Sequence, residues 1–142
     1  MCVFCKIAAG EIPAATLYED EKFRVILDMA PVSAGHALII PKNHIDNVFD
    51  APEDILAAIF PLAKKIASAQ KKGLGCDGIN IVQNNGKSAG QTVFHLHVHS
   101  VPRFEDDGKK LSFKPDKTSE IDFAETAIDF AETARRIMEV MQ

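Results

Sequence analysis

Residues 93–102 read VFHLHVHSVP, so three of the chain's five histidines fall inside one short stretch. Successive side chains of a strand point to opposite faces. Read as a strand over residues 95–101 ended by Pro102, the stretch puts His95, His97 and His99 on one face and Leu96 and Val98 on the other. Neighbouring imidazoles are then about 6.6 Å apart at the backbone, twice the ~3.3 Å rise. Three readings of that face stand side by side. It can be a polar face with incidental histidines. It can be a three-histidine metal site with an open position, since His-x-His suits metal ligation. Or one imidazole can be a nucleophile, with its neighbours fixing its tautomer and supplying a proton to the leaving group.

The segments on either side narrow the choice. The loop NNGKSAGQ (84–91) precedes the histidines and is polar and glycine-punctuated. Glycine lets backbone amides near Gly86 and Gly90 approach phosphate oxygens closely. A phosphate cradle directly before an imidazole row suggests phosphoryl or nucleotidyl transfer to histidine. Upstream, TLYED (16–20), KFRVILD (22–28), HALIIP (36–41) and GINIVQN (78–84) read as strands between turn residues. Ile55, Ile59, Leu62, Ile66 and Ala69 recur at helical spacing. That helix is expected to begin at an Asp50–Glu53 capping box, kink at Pro61 and stop at Gly73. CVFCKIAAG (2–10) predicts a turn or two of helix closed by Gly10, and RFEDDGKKLSFKPDKTS (103–119) an exposed loop. The segment IDFAETA occurs twice in succession, from Ile121 and from Ile128. Phe123, Ala127, Phe130, Ala134, Ile137 and Met141 form an apolar stripe, with Ile121, Ala124, Ile128 and Ala131 beside it, so a C-terminal helix packs on its own body or on a second subunit. The fold class is α+β: an antiparallel sheet of about five strands, one long central helix and a C-terminal helix.

At 142 residues the chain suits a single domain over 1–142. A formal net charge of −4 without a basic stripe argues against a nucleic-acid partner. No apolar run is long enough for a membrane span, and the N-terminus lacks the pattern of a signal peptide. Three cysteines, an odd count without a secretion signal, point to the reducing cytoplasm rather than to a disulfide framework.

HLHVHSV (95–101) is similar to the His-φ-His-φ-His-φφ signature of the histidine triad (HIT) superfamily, where φ is apolar; Ser100 departs from φ. IPAATLYEDEKFRVILDMAPVSAGHALIIPKNHI (12–45) and NNGKSAGQTVFHLHVH (84–99) extend the resemblance over about residues 2–103, the HIT core, leaving a C-terminal loop and helix over 104–142. The chain most resembles the small bacterial Hint-type nucleotide hydrolases. The resemblance implies that His97 attacks the α-phosphorus of a purine nucleoside phosphoramidate or related AMP or GMP derivative, that a nucleotidyl-histidine forms, and that water cleaves it. His99 would contact the phosphate and help protonate the departing amine, and His36 would support the triad; as sequence alone, His36 reads equally as a plain buried histidine. Asn84, Gly90, Gln91 and Thr92 match the phosphate-contacting loop, with threonine where relatives commonly have serine. Asp28 matches the carboxylate that binds both ribose hydroxyls, or else is a strand-end turn residue. Val3, Phe4, Ile7, Ile26 and Met29 resemble the pocket around the base, though as bare residues they read simply as core.

Cys2 and Cys5 form a C-x-x-C pair, a weak motif by itself. The resemblance extends to HIT proteins that complete a structural zinc site with two histidines, here His44 and His95. A closed Cys2–Cys5–His44–His95 set leaves no open position for substrate, and leaves His97 and His99 for chemistry. Cys76 has no assigned part. No organic cofactor is expected, and a homodimer is. Two other functions stay open: a dinucleoside polyphosphate hydrolase, and a nucleotide- or zinc-binding module with negligible turnover.

Overall fold

The computed structural model describes residues 2–110 and 123–141. Within the first unit the order is α1 (Val3–Ala8), β1 (Thr16–Glu19), β2 (Phe23–Leu27), β3 (Ala37–Pro41), α2 (Glu53–Leu74), β4 (Gly78–Val82), a 3₁₀ turn (Lys87–Ala89) and β5 (Val98–Arg103). The strands form one antiparallel sheet in the order β1-β2-β3-β5-β4. The α+β class, the five strands and the long helix follow the sequence expectation.

Period-two alternation divides the sheet. Phe23 and Val25 of β2, Ala37 and Ile39 of β3, and Leu96 and Val98 pack with Ile55, Ile59, Leu62, Ala63 and Ile66 of α2. Ile26, Leu38 and Ile40 face the other way and pack with Ile7 of α1, with Phe4 partly buried against them. Asp28, His36, His95, His97 and His99 share the parity of this second face. The sheet therefore carries its chemistry on the α1 side and its main core on the α2 side.

Three local expectations are corrected. Pro52 is the N-cap of α2, and no side chain caps it, so Asp50 and Glu53 form no capping box. The carbonyl of Pro52 instead receives the amides of Ile55 and Leu56. Pro61 lies inside the helix, and the helix does not stop at Gly73 but passes it to Leu74, ending where Gly75 turns left-handed at φ 66°. Pro61 and Ala57, whose carbonyl the missing proline N–H leaves free, are both exposed, so water can serve that carbonyl. The last member of the helical stripe also differs: Ala69 is exposed, and Gln70 is the buried residue.

The histidine strand starts late and ends late. It begins at Val98, not His95, and continues through Pro102 to Arg103. Before Val98 the chain leaves β3: the Leu96 amide donates to the Ile45 carbonyl at 2.6 Å, and the Pro41 carbonyl receives the His95 ring at 2.8 Å. At the other end β3 pairs only with residues 98–100 of β5, so the missing N–H of Pro102 costs no β3 bond.

The second unit spans residues 110–142 and contains α3 (Phe123–Met138). Phe130, Ile137 and Met138 on α3, and Met141 beyond it, are exposed. Ile121, and the side-chain surroundings of Phe123, Ala124, Ala127 and Ile128, lie outside the described residues, as does most of the expected loop 103–119.

Candidate active site and metal centre

Each histidine is held by a different partner, and the partners dictate the tautomers. His97 Nδ1 lies 2.6 Å from the carbonyl oxygen of His95. A carbonyl only accepts, so Nδ1 carries the hydrogen and Nε2 holds a lone pair. His97 is 8% exposed, and no buried side-chain nitrogen or oxygen among the described residues lacks a partner. Nε2, which has no protein partner, therefore reaches solvent.

His36 and His99 form a directed chain. The Val32 amide donates to His36 Nδ1 at 3.0 Å, so the hydrogen of His36 sits on Nε2. That N–H points to His99 Nδ1 at 2.9 Å, with the Asp28 carboxylate at 3.5 Å. His99 Nδ1 thus accepts, and its hydrogen sits on Nε2. Burial holds the His36 pKa below the ordinary histidine value against the opposing pull of Asp28. Burial, then the neighbouring His97 and His36, push His99 down to about 4, again against Asp28. Both rings are neutral at physiological pH. The His97 and His99 rings are neighbours, with centroids 5.0 Å apart; one carries a lone pair at Nε2 and the other a hydrogen.

The preceding loop is braced from within. Gln91 is 3% exposed. Its Oε1 accepts from the Gly86 amide at 2.8 Å, and its Nε2 donates to the carbonyls of Asp46 and Val93 at 2.6 and 3.1 Å. The amides of Gly90 and Gln91 are donated to Lys87 and Gly86. The amides at Gly86 and Gly90 therefore close the loop on itself and offer no free donors to a phosphate. Thr92 is exposed. Val82 pairs with His99, so the antiparallel register extended by two residues sets Asn84 level with His97. Gly90 turns the loop at φ 89°, a conformation that favours glycine, and lies beside the Asn84 side chain. Of the residues expected around a base, Ile7 and Ile26 are buried, Phe4 is half-buried, and Val3 and Met29 are exposed at 45% and 91%. Phe4 sets its ring edge-on to His97 at 5.0 Å.

Cys2, Cys5, His44 and His95 bring one ligand atom each to within 4.8 Å of one another. The Cys2 and Cys5 sulfurs lie 3.6 and 3.5 Å from His95 Nδ1, and Cys5 lies 3.2 Å from His44 Nδ1. A tetrahedral zinc with its usual bond lengths sets ligands about 3.4–3.8 Å apart. Both rings have their other nitrogen engaged: His95 Nε2 with the Pro41 carbonyl at 2.8 Å and His44 Nε2 with the Asp46 carboxylate at 2.7 Å. Those partners turn both Nδ1 lone pairs toward the cysteines, the arrangement that orients metal-ligating histidines. The donor set therefore fits zinc. Burial, and then Cys2, push the Cys5 thiol up in the absence of a cation; a coordinated metal reverses that by deprotonating the thiol.

Sequence reasoning missed several supports: Asp46 behind His44, the Val32 amide behind His36, and Gln70 behind Ser100. Ser100 is fully buried, and its hydroxyl donates to Gln70 Oε1 at 2.6 Å. Gln70 Nε2 in turn donates to the carbonyls of Gly35 and Ser100 at 2.8 and 3.0 Å. The departure from an apolar residue at position 100 thus has a polar partner on α2. The spacing His44-x-Asp46 was visible in the sequence; the Val32 amide is only four residues from His36 but leaves no side-chain signature, and Gln70 is thirty residues from Ser100.

A model of the HIT domain matches residues 9–106. The chain is 46% identical over 106 residues to adenylylsulfatase HINT3 of Arabidopsis thaliana, covering 75% of this chain and 54% of that protein. It is 39% identical over 121 residues to adenosine 5'-monophosphoramidase HNT1 of Saccharomyces cerevisiae, covering 85% of this chain and 74% of that one. A crystal structure of a zinc-bound histidine triad family protein from Mycobacterium smegmatis superposes with a TM-score of 0.75 at 41% identity, covering 94% and 96% of the two chains. The five-stranded sheet, the histidine row and these matches place the chain in the HIT family, among its Hint-type members.

Proposed function

We propose that the protein is a nucleotide hydrolase or transferase that cleaves AMP–X compounds, purine nucleoside phosphoramidates foremost, to AMP and X through a nucleotidyl-histidine at His97. One observation carries the reading: His97 holds a solvent-reaching Nε2 lone pair, with its Nδ1–H fixed 2.6 Å from the His95 carbonyl, and its ring neighbours that of His99 with centroids 5.0 Å apart. The His97 lone pair attacks the α-phosphorus. The bond from phosphorus to X breaks with its electron pair going to X, which takes up a proton. Water then attacks the same phosphorus and returns the electron pair to His97 Nε2. His99, pinned as a neutral donor by His36, hydrogen-bonds to the phosphate and the departing atom, where negative charge grows. Asp28 receives the ribose hydroxyls, Thr92 and Asn84 approach the phosphate, Gly90 gives the loop its turn and Gln91 holds it in shape. Phe4, Ile7 and Ile26 line the base side.

Cys2, Cys5, His44 and His95 would hold zinc as a closed structural centre. Bound there, zinc supplies no chemistry to substrate; it ties the N-terminus to the segment that carries the nucleophile. The relatives' names, one acting on an adenylyl sulfate and one on an AMP amide, support an AMP–X substrate with a variable X.

The test is a rapid quench. Protein incubated with an adenosine phosphoramidate is examined by mass spectrometry for an adenylyl addition on His97, with metal content measured on the same preparation. The reading expects the adduct, and its loss together with turnover in His97→Asn. Folded protein that binds AMP but forms no adduct and releases no AMP is a binding module instead.

A further inference from the structure

We infer that Cys2 and Cys5 are an oxidisable modification site for peroxides, and that its oxidation expels the metal and loosens the nucleotide pocket through Phe4. The inference rests on the zinc reading above.

The cluster is buried on one side and open on the other. His95 is fully buried, whereas the His44 side chain is 46% exposed and both cysteines are half-buried. A small oxidant can reach the sulfurs. Zinc keeps them as thiolates, the reactive form. One thiolate attacks a peroxide oxygen, the O–O bond breaks, and a sulfenic acid and hydroxide result. The second thiolate attacks that sulfur, a disulfide forms and a second hydroxide leaves. Two protons from solvent turn the hydroxides into two waters. The sulfur pair has lost two electrons and the peroxide has gained them. The disulfide sulfurs carry no charge, so two of the four ligands are gone and the zinc leaves.

Cys2 is the N-cap of α1, with extended backbone at ψ 133°, and Cys5 lies in its first turn. A disulfide draws the two sulfurs onto each other and away from His95 and His44, beside which the reduced pair sits at 3.2–3.6 Å. The rest of α1 stays anchored, because Ile7 is in the sheet-face cluster and Arg24 donates to the Ile7 carbonyl. The turn between the two sulfurs loses its tie to the histidines, and Phe4 is in it. Its ring packs edge-on to both His95 and His97, at 6.0 and 5.0 Å. Cys76, by contrast, is 3% exposed and stands apart from the cluster.

The experiment uses full-length zinc-loaded protein and hydrogen peroxide. Released zinc is followed with a colorimetric chelator, the Cys2–Cys5 peptide by mass spectrometry, and AMP affinity by calorimetry. Zinc release should track loss of two hydrogens from that peptide. AMP binding should weaken roughly two- to tenfold, the scale of one aromatic edge contact. Thiol reductant with zinc should restore it, and Cys76→Ser should respond as the native chain does. Zinc retained with reduced cysteines, or zinc lost with AMP affinity unchanged, overturns the inference while leaving the proposed activity standing. Protein that never binds zinc ends the metal reading and this inference together. Zinc-loaded protein that binds no AMP before oxidation refutes the nucleotide reading, and with it the coupling through Phe4.

Discussion

Acidification should destabilise this fold through His99, and replacing that residue should remove most of the effect. Burial and the flanking rings push the His99 pKa from 6.5 down to about 4. Geometry supplies the reason: a doubly protonated His99 would point its Nδ1–H at the Nε2–H of His36, 2.9 Å away. Between pH 6.5 and about 4 the unfolded chain binds a proton at this residue and the folded chain does not, so stability rises with pH across that window and is lost below it. From pH 7 to pH 5 the two-state linkage expression gives a loss of about 2 kcal/mol from His99 alone. Urea unfolding at the two pH values, at matched zinc content, measures it. With an m-value of about 1–3 kcal/mol per molar for a small protein, the native midpoint should fall by roughly 1 M on acidification. His36 and His95 are also depressed by burial, so His99→Asn should keep a shallower slope. A variant that loses stability in parallel with the native chain, or a native chain that gains stability at pH 5, would refute both the neutral His99 and the directed chain from Val32.

Three further outcomes follow from named contacts. Ser100→Ala leaves Gln70 Oε1 buried without its 2.6 Å donor; it should cost about 1–3 kcal/mol by thermal denaturation. Asp46→Ala removes the carboxylate behind His44 and should weaken zinc about 10–100-fold in a chelator competition, without abolishing it. Asp28→Asn should weaken AMP binding roughly tenfold or more while changing 2'-deoxy-AMP binding far less, by calorimetry; equal losses for both nucleotides would detach Asp28 from the ribose.

The fold was legible where periodicity is set by burial. The α2 stripe from Ile55 to Ile66 and the split of Leu96 and Val98 from the histidines follow from apolar spacing, and the structure keeps both. What escaped was decided by groups that sequence spacing does not register. Asp50-Ala-Pro-Glu53 has the form of a capping box, yet Pro52 takes the cap position and Asp54 pairs instead with Lys22 at 3.1 Å. The strand of the histidines begins three residues late because the Pro41 and Ile45 carbonyls are taken by the His95 ring and the Leu96 amide. The candidate metal set was legible as residue types, because Cys2, Cys5, His44 and His95 do converge. The loop was read as an amide cradle, since glycines near a phosphate motif suggest one. In the fold the amides of Gly86, Ala89, Gly90 and Gln91 are taken by the Gln91 side chain and by the loop's own carbonyls.

The deepest regularity of the site is in no motif. The five histidines divide into three kinds, and in each case a fixed group behind the ring makes the division. A backbone carbonyl behind Nδ1 turns His97 into a lone pair at Nε2. A backbone amide behind Nδ1 turns His36 into a donor and, one ring further, His99 into a donor at Nε2. A carbonyl and a carboxylate behind Nε2 turn His95 and His44 into paired Nδ1 lone pairs facing the cysteines. The triad pattern by itself does not assign these roles, because the ring at each position is assigned by its partner. The His95 residue serves both clusters, its ring beside the two cysteines and its carbonyl on His97 Nδ1. A change that tilts this one residue should therefore register at His97, and that coupling gives the Cys2–Cys5 pair a second physical route, beside Phe4, to the proposed nucleophile.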